Sequence, residues 1–119
     1  MRKIIVAGGR KFQDWEFLTS VLDVAIGTDT VEIVSGRAKG ADQLGGRYAV
    51  HRGHKLKFFP ADWGKYKNAA GPIRNEAMAE YATELCAFWD GRSTGTKHMI
   101  KHARKMGLEV RLFVYDADL

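Results

Sequence analysis

The sequence predicts an α/β fold: a three-layer, doubly wound Rossmann-like sandwich around a five-stranded, mainly parallel sheet. Five short apolar runs, at residues 3–7, 31–34, 55–59, 85–89 and 109–114, alternate with segments whose apolar residues recur at helical spacing. Such alternation is typical of parallel strands joined by helices on both faces of a sheet. A long connection at residues 61–71 lets the chain return beside the first strand, which favours the strand order 3-2-1-4-5.

Start and stop signals bound the first two helices. Asp14 is the predicted N-cap of the first helix, and Gly27 ends it. The apolar residues of this helix lie at helical spacing: Trp15, Leu18, Val21, Leu22 and Ala25. The second helix is predicted at about Ala41–Arg52, with Gly53 as its C-cap.

The last two helices follow the long connection and the fourth strand. Pro72 is predicted to open the third helix, whose inner face is marked by Ile73, Ala77 and Tyr81. The fourth is predicted at residues 97–106 and ends at Gly107, and residues 116–119 are predicted to be a frayed tail.

Length and composition set the broad class. The 119 residues suggest one domain over residues 1–119, and 45% hydrophobic with 28% charged residues is an ordinary globular composition. Cys86, the single cysteine, lies in an apolar run and is read as a buried structural thiol of a reducing compartment. We expect a cytoplasmic protein without signal peptide or membrane span. The net charge of +5 favours anionic partners.

A Gly/Ser/Thr turn after the fourth strand is the main candidate site. Residues 90–96 join an apolar strand to a helix, and the helix N-terminus presents unpaired N–H groups and the positive end of its dipole. Together with two glycines and three hydroxyls, this makes a predicted phosphate cradle. In the order 3-2-1-4-5 the turns after strands 1, 2 and 4 meet at one crevice, at the switch between strands 1 and 4.

Several motifs in register resemble the SMF/DprA–LOG (SLOG) superfamily, and most closely its small YspA-like members of bacteria and phages. The motifs are Gly-Gly-Arg at 8–10, Ser-Gly-Arg-Ala-Lys-Gly-Ala-Asp at 35–42, Pro-Ala-Asp-Trp at 60–63, Gly-Pro-Ile-Arg-Asn at 71–75, and Trp-Asp-Gly with Gly-Thr at 89–96. The resemblance implies a pocket for a nucleotide-derived small molecule. It also implies three alternative functions: nucleotide sensing or sequestering, nucleoside 5'-monophosphate N-glycosidase activity of the LOG type, and DprA-like binding of single-stranded DNA.

Two departures from the LOG pattern weigh against the enzyme. Met99 stands where LOG-type enzymes carry a glutamate, and a thioether is neither an acid nor a base. Asn75 replaces the lysine that follows the arginine of the preceding helix, so that Arg74-Asn75 is closer to the DprA branch. Catalytic residues therefore stay unknown, with Arg74, Glu76 and Asp90 as candidates. We expect no cofactor and no metal, and relatives suggest a homo-oligomer.

The candidate ligand-binding residues come from all five motifs. They are Gly8, Gly9, Arg10, Ser35, Gly36, Asp42, Asp62, Trp63, Arg74, Asn75, Trp89, Gly91, Ser93, Thr94, Gly95 and Thr96. Arg74 is predicted in the first turn of its helix, where a cation opposes the dipole, so it either meets a ligand anion or pairs with Asp62 or Asp90.

For other residues a structural role competes with the functional one. Asp42 either stabilises its helix N-terminus or contacts a ribose or Arg10, and Asn75 either contacts a ribose or orients Arg74. Trp63 or Tyr66 either stacks on a base or packs in the core. His98 and His102 have the spacing of a zinc pair but are read as a solvated helix face. A basic rim suited to nucleic acid is predicted at Arg10, Lys11, Arg37, Lys39, Lys65, Lys67, Arg74, Arg92 and Lys97.

Overall fold

The computed structural model describes residues 1–116 and contains the predicted sheet. Its strands are β1 (Lys3–Gly8), β2 (Glu32–Ser35), β3 (Lys55–Phe58), β4 (Glu84–Trp89) and β5 (Glu109–Val114). They pair in the order β3-β2-β1-β4-β5, and every neighbouring pair is parallel. The predicted fold class and strand order are confirmed. The tail predicted at 116–119 lies, beyond Asp116, outside the described residues.

Helices connect the strands. They are α1 (Trp15–Ile26), α2 (Ala41–Arg52), α3 (Trp63–Tyr66), a 3₁₀ turn (Lys67–Ala69), α4 (Ala70–Tyr81) and α5 (Thr94–Lys105). The Asp14 side chain caps α1, and Gly53 ends α2 in the left-handed conformation, as predicted. None of the helices within residues 1–116 is long and apolar enough to cross a membrane.

Two of the predicted boundaries were wrong. The connection at residues 61–71 holds α3 and the 3₁₀ turn, and α4 begins at Ala70 rather than at Pro72. A proline inside the first turn lacks an N–H that has no helical partner anyway, so it does not mark the first residue. Helix α5 begins at Thr94 rather than at residue 97, because the residues after the Ser93 N-cap already have helical backbone angles.

The core has two halves, one on each face of the sheet. Along β1, Ile4 and Val6 point to the half under α1 and α2, and Ile5 points to the half under α4 and α5. Cys86 is fully buried in the first half, and this desolvation raises the pKa of its thiol to about 11. The thiol is therefore neutral and packs as a small apolar group.

The buried face of α4 differs from the predicted one. Ile73 is 39% exposed, whereas Asn75, Met78 and Ala79 are buried against the sheet and α5. The α4 sequence is rich in small residues and has little apolar periodicity, so the pattern could not select the face. The rotation matters for the site because it turns Asn75 inward.

Candidate functional site

Two adjoining cavities lie at the carboxyl ends of the strands, at the switch between β1 and β4. The first lobe, of about 490 Å³, is bounded by the ends of β1 and α2, by α4 and by the first turns of α5. The second lobe, of about 510 Å³, is bounded by the β2–α2 turn and by the residues after β3. The lobes share four lining residues: Arg10, Ala38, Trp63 and Arg74. We call the two lobes together the crevice.

The structure brings most of the predicted site residues to this crevice. The first lobe is lined by Gly8, Arg10, Asp42, Trp63, Arg74, Asn75, Ser93, Thr94, Gly95 and Thr96, and Gly36 lines the second. The other candidates within residues 1–116 line neither lobe: Gly9, Ser35, Asp62, Glu76, Trp89, Asp90 and Gly91.

Asp90 and Gly91 shape the turn that leads into α5. The Asp90 carboxylate accepts the backbone N–H groups of Arg92 (2.8 Å) and Ser93 (2.7 Å). These bonds, the one from Ser93 first, lower the pKa of Asp90. Gly91 has φ +81°, a conformation that glycine adopts without steric cost. Asp90 thus supports the turn rather than facing the crevice as an acid or nucleophile.

The first turn of α5 borders the first lobe and is open. Ser93 is the N-cap residue, but its side chain does not cap the helix; its hydroxyl lies 3.3 Å from that of Thr96. The Ser93 carbonyl oxygen accepts the Trp89 indole N–H at 3.0 Å, so Trp89 packs beside the turn. A Cβ built on Gly95 meets no atom within 4 Å. The helix N-terminus therefore faces free space in which an anion fits.

Arg74 lies in the second turn of α4, since the helix begins at Ala70, so opposition to the dipole no longer explains its position. Its Nη1 donates to the Gly36 carbonyl oxygen at 2.6 Å, and its Nε donates to the Asn75 side chain at 3.0 Å. These contacts replace the pairing with Asp62 or Asp90 that the sequence allowed. Burial lowers the pKa of Arg74, the Asp42 carboxylate opposes this shift, and the nearby Arg10 adds to it.

Position 36 has no room for a side chain because two charged groups pack against it. A Cβ at this position would collide with the guanidinium of Arg74 and lie 2.9 Å from Oδ2 of Asp42. The absence of a side chain thus brings the cation and the carboxylate to one point of the crevice wall.

Asn75 links α4 to α5. It is 6% exposed, and while its oxygen accepts from Arg74, its Nδ2 lies 3.2 Å from the Gly95 carbonyl oxygen and 3.3 Å from Nδ1 of His98. The sequence left two roles open for Asn75, contact with a ribose or orientation of Arg74. The hydrogen bond from Arg74 supports the second role. The amide thus connects the Arg74 guanidinium to the first turn of α5.

His98 and His102 were wrongly predicted to be a solvated face. Both are partly buried, their rings stack at 6.0 Å between centroids, and His98 lines the first lobe. The Nε2 atom of His102 is buried and has no hydrogen-bond partner among the described residues. Within residues 1–116 no cluster of side chains suitable for a metal ion occurs.

Asp42 is the carboxylate that lines the crevice among the described residues, and it is 4% exposed. Its Oδ2 accepts the Ala38 N–H at 3.4 Å, and its backbone oxygen accepts the Ser35 hydroxyl at 3.1 Å. Desolvation raises the pKa of Asp42 to about 6, although Arg74 and backbone N–H groups oppose the shift. Asp42 and Ser35 therefore close the β2–α2 turn.

Arg10 follows β1 and lines both lobes. It is exposed, and within residues 1–116 its guanidinium has no hydrogen bond or ion pair. The preceding glycines have packing roles: a Cβ on Gly8 would collide with the Phe88 carbonyl oxygen, and one on Gly9 with the Tyr115 hydroxyl. Close packing thus fixes the end of β1, and Arg10 follows it at the border of both lobes.

Trp63 and Asp62 lie at the start of α3 but have different surroundings. The Asp62 carboxylate caps α3 by accepting the Lys65 N–H at 3.0 Å. The Trp63 side chain is 50% exposed, lines both lobes, and lies against Gly71. Tyr66, the other predicted aromatic, lines neither lobe among the described residues. Trp63 is therefore not a core residue, and its half-exposed side chain borders the crevice.

Some lining residues were absent from the predicted site. They are Ala7, Asn68, Gly71, Pro72, Met78, His98 and Met99 in the first lobe and Arg37, Ala38, Lys39, Pro60 and Ala61 at the second. Met99 is buried, and it was singled out only as a missing glutamate. Arg37 and Lys39 were predicted on the basic rim but not as ligand-binding residues, although the Gly36–Gly40 turn places both at the second lobe. Asn68 carries no signal, since its position depends on how α3 folds.

Comparison with known proteins agrees with this architecture. The gene 61 protein of Mycobacterium phage D29 is 32% identical over 120 residues, covering 92% of this chain and 94% of that protein. DNA processing protein A (DprA) from Streptococcus pneumoniae shares the fold, with a TM-score of 0.78 at 19% identity over 98% of this chain. The chain spans about half of DprA, 52% of its length. A family profile also matches residues 2–66. The chain thus belongs to the YAcAr family, the YspA, cpYpsA-related SLOG family.

Proposed function

We propose that the crevice binds a nucleotide-derived small molecule and that the protein senses or sequesters this molecule. The observation that carries the proposal is the pair of guanidinium groups in the first lobe. Arg74 is held there by Gly36 and Asn75, Arg10 lies close enough to lower its pKa, and both face the cavity bordered by the open turn of α5. Two neighbouring cations beside a helix N-terminus favour an anion with several oxygens, such as a phosphate.

Size and lining support a nucleotide rather than a free phosphate. Small-molecule sites usually enclose roughly 300–1,000 Å³, and the first lobe has about 490 Å³. The exposed Trp63 ring at its border offers a stacking surface, and base–aromatic stacking contributes about 1–3 kcal/mol. The phosphate would lie at the first turn of α5 and the base near Trp63.

A LOG-type N-glycosidase is the second candidate, and one observation favours it. Asp42 is a carboxyl group in the crevice whose pKa of about 6 suits proton transfer near neutral pH. Against it, Met99 occupies the lobe where the resembling enzymes carry a carboxylate, and backbone N–H groups engage Asp42. Binding without hydrolysis agrees better with this lining.

A binding screen with product analysis tests the proposal. The protein is titrated in a calorimeter with nucleoside mono- and diphosphates, NAD, ADP-ribose and cyclic nucleotides, and each sample is then chromatographed for free base. We expect saturable binding of at least one nucleotide, loss of that binding in Arg74→Ala, and no free base. Absence of binding by the whole panel would reject the proposal, and release of base that requires Asp42 would establish the enzyme instead.

A short oligonucleotide belongs in the same screen. DprA-like binding of single-stranded DNA was the third alternative function, and the fold likeness alone does not favour it over a small ligand. Salt-sensitive binding of the oligonucleotide, tighter than that of any nucleotide, would support the DNA-binding alternative.

A further inference from the structure

The second lobe is strongly cationic. Its lining includes Arg10, Arg37, Lys39 and Arg74, and no carboxylate of the described residues lines it. The first lobe, in contrast, contains the Asp42 carboxylate. Arg10 and Arg74 are shared with the first lobe, so Arg37 and Lys39 are the cations that the second lobe adds, and they attract an anionic group.

Arg37 is held at this lobe in a strained conformation. Its φ is +60°, a value that glycine adopts at lower cost. The residue lies between Gly36 and Gly40 in the β2–α2 turn. The Ser35 hydroxyl accepts the Arg37 N–H at 3.2 Å, and the guanidinium lies 4.7 Å from the centre of the Phe58 ring. The turn and the Phe58 contact thus hold the Arg37 guanidinium at the second lobe, at a backbone position where glycine would cost less.

The two lobes adjoin at the guanidinium groups. Arg10 and Arg74 line both cavities, and Trp63 borders both. A ligand whose phosphate lies at the first turn of α5 can therefore extend past these arginines into the second lobe. There it meets Arg37 and Lys39.

We propose that the ligand is a nucleotide with phosphoryl groups at two separate positions of the nucleoside, as in a nucleoside 3',5'-bisphosphate. One phosphoryl group lies at the first turn of α5, and the other lies in the second lobe between Arg37 and Lys39. This inference rests on the proposed function and specifies its substrate class.

The arrangement of the cations favours a small ligand over a nucleic-acid track. Five side chains of the predicted basic rim line neither lobe among the described residues: Lys11, Lys65, Lys67, Arg92 and Lys97. The remaining cations gather at the junction and in the second lobe. A single-stranded backbone needs a continuous line of contacts, whereas two separated phosphoryl groups need two sites.

Isomeric nucleotides test the inference. Adenosine 5'-diphosphate and adenosine 3',5'-bisphosphate have the same composition, but only the second separates its phosphoryl groups, and it carries about one more negative charge near neutral pH. Both are titrated by calorimetry beside AMP, and the three guanosine counterparts are titrated in the same way. We expect at least tenfold tighter binding of the 3',5'-bisphosphate than of its 5'-diphosphate isomer, for one of the two bases.

Two glycine substitutions provide a matched pair. Arg37→Gly and Lys67→Gly each remove one cation at a position with positive φ, of 60° and 54° respectively, where glycine fits the backbone, but Lys67 lines neither lobe. We expect Arg37→Gly to abolish the preference for the bisphosphate and to leave AMP or GMP binding within twofold of wild type. Lys67→Gly should keep the preference.

The possible results separate the two proposals. Equal affinity for the isomers, or an unchanged preference in Arg37→Gly, overturns the inference and leaves the proposed function intact. Failure of all nucleotides to bind removes both. A short oligonucleotide that binds tighter than the bisphosphate overturns the small-ligand assignment in favour of nucleic acid.

Discussion

Arg74 and Asn75 show how neighbouring side chains can fix a binding group. Arg74 spans from α4 to the Gly36 carbonyl oxygen, while Asn75 connects it to the Gly95 carbonyl oxygen. Two turns of the crevice, after β2 and after β4, are thus joined to α4 through these two residues. These hydrogen bonds orient the guanidinium, and a group oriented by the protein itself loses less entropy when a ligand binds.

Replacing Asn75 tests this connection. Asn75→Ala removes the acceptor of Arg74 and the donor to Gly95, and it leaves polar groups unpaired in a buried place. We expect the free energy of unfolding to fall by about 2 kcal/mol and nucleotide affinity to fall at least tenfold. Denaturant unfolding and calorimetry measure the two effects. Glu76→Ala, at the next position of α4 and outside both lobes, is the control. Wild-type affinity in Asn75→Ala would contradict the orienting role.

Asp42 gives a prediction for the pH dependence of stability. Because burial raises its pKa from 3.8 to about 6, the folded protein keeps a proton that the unfolded chain loses between these values. The Asp42 contribution is therefore fully present below about pH 4 and is lost as the pH rises towards 6. At about 1.4 kcal/mol for each unit of pKa shift, the loss is on the order of 3 kcal/mol.

The measurement compares wild type with Asp42→Asn, which keeps an acceptor for the Ala38 N–H. The free energy of unfolding of each protein is determined by denaturant titration from pH 4 to pH 7. The other titratable groups are common to both proteins, so their contributions cancel in the difference. Wild type should lose stability relative to Asp42→Asn across this range. Parallel profiles would show that Asp42 titrates as an ordinary exposed carboxyl.

At the scale of the element, α5 has a first turn that is less stable than it could be. Ser93 does not cap it with its side chain, no acid lies in the first turn, and Gly95 occupies a helical position with open space around it. Each feature weakens a helix N-terminus. The same features leave room and positive potential for an anionic ligand.

Gly95→Asp separates stability from binding. An acid in the first turn stabilises the helix by about 0.3–1 kcal/mol, but here its charge would occupy the proposed phosphate site. We expect unchanged or raised thermal stability together with a loss of nucleotide binding of a hundredfold or more. Gly95→Asn, of equal size and without charge, should lose less affinity. Equal losses would indicate that bulk rather than charge excludes the ligand.

At the scale of the whole molecule, the succession of strands and helices could be predicted from the sequence because strong local signals mark these elements. Apolar runs located all five strands, and Asp14 and Gly53 located helix ends. The start of α4 and its buried face could not be predicted. Ala70 and Gly71 give no start signal, and the small residues of α4 pack by shape rather than by periodicity.

The composition of the crevice was only partly predictable for the same reason. Gly-containing turns at strand ends led to Arg10, Gly36 and residues 93–96, since strand order alone brings them together. Asp62 and Asp90 resemble ligand-binding acids in sequence, but each carboxylate accepts local backbone N–H groups. Whether an acid caps a turn or faces a cavity depends on tertiary orientation, which neighbouring residues in sequence do not encode.

Chemical-shift mapping of the backbone amides during titration with the tightest-binding nucleotide tests the central claim most directly. We expect the largest shifts at Ser93, Gly95, Gly36 and Asn75, around the crevice, and none at Val24, an exposed residue of α1 on the other face of the sheet. Arg74→Ala should abolish these shifts. Shifts confined to the α1 and α2 face, or saturable shifts that persist in Arg74→Ala, would contradict nucleotide binding in the crevice.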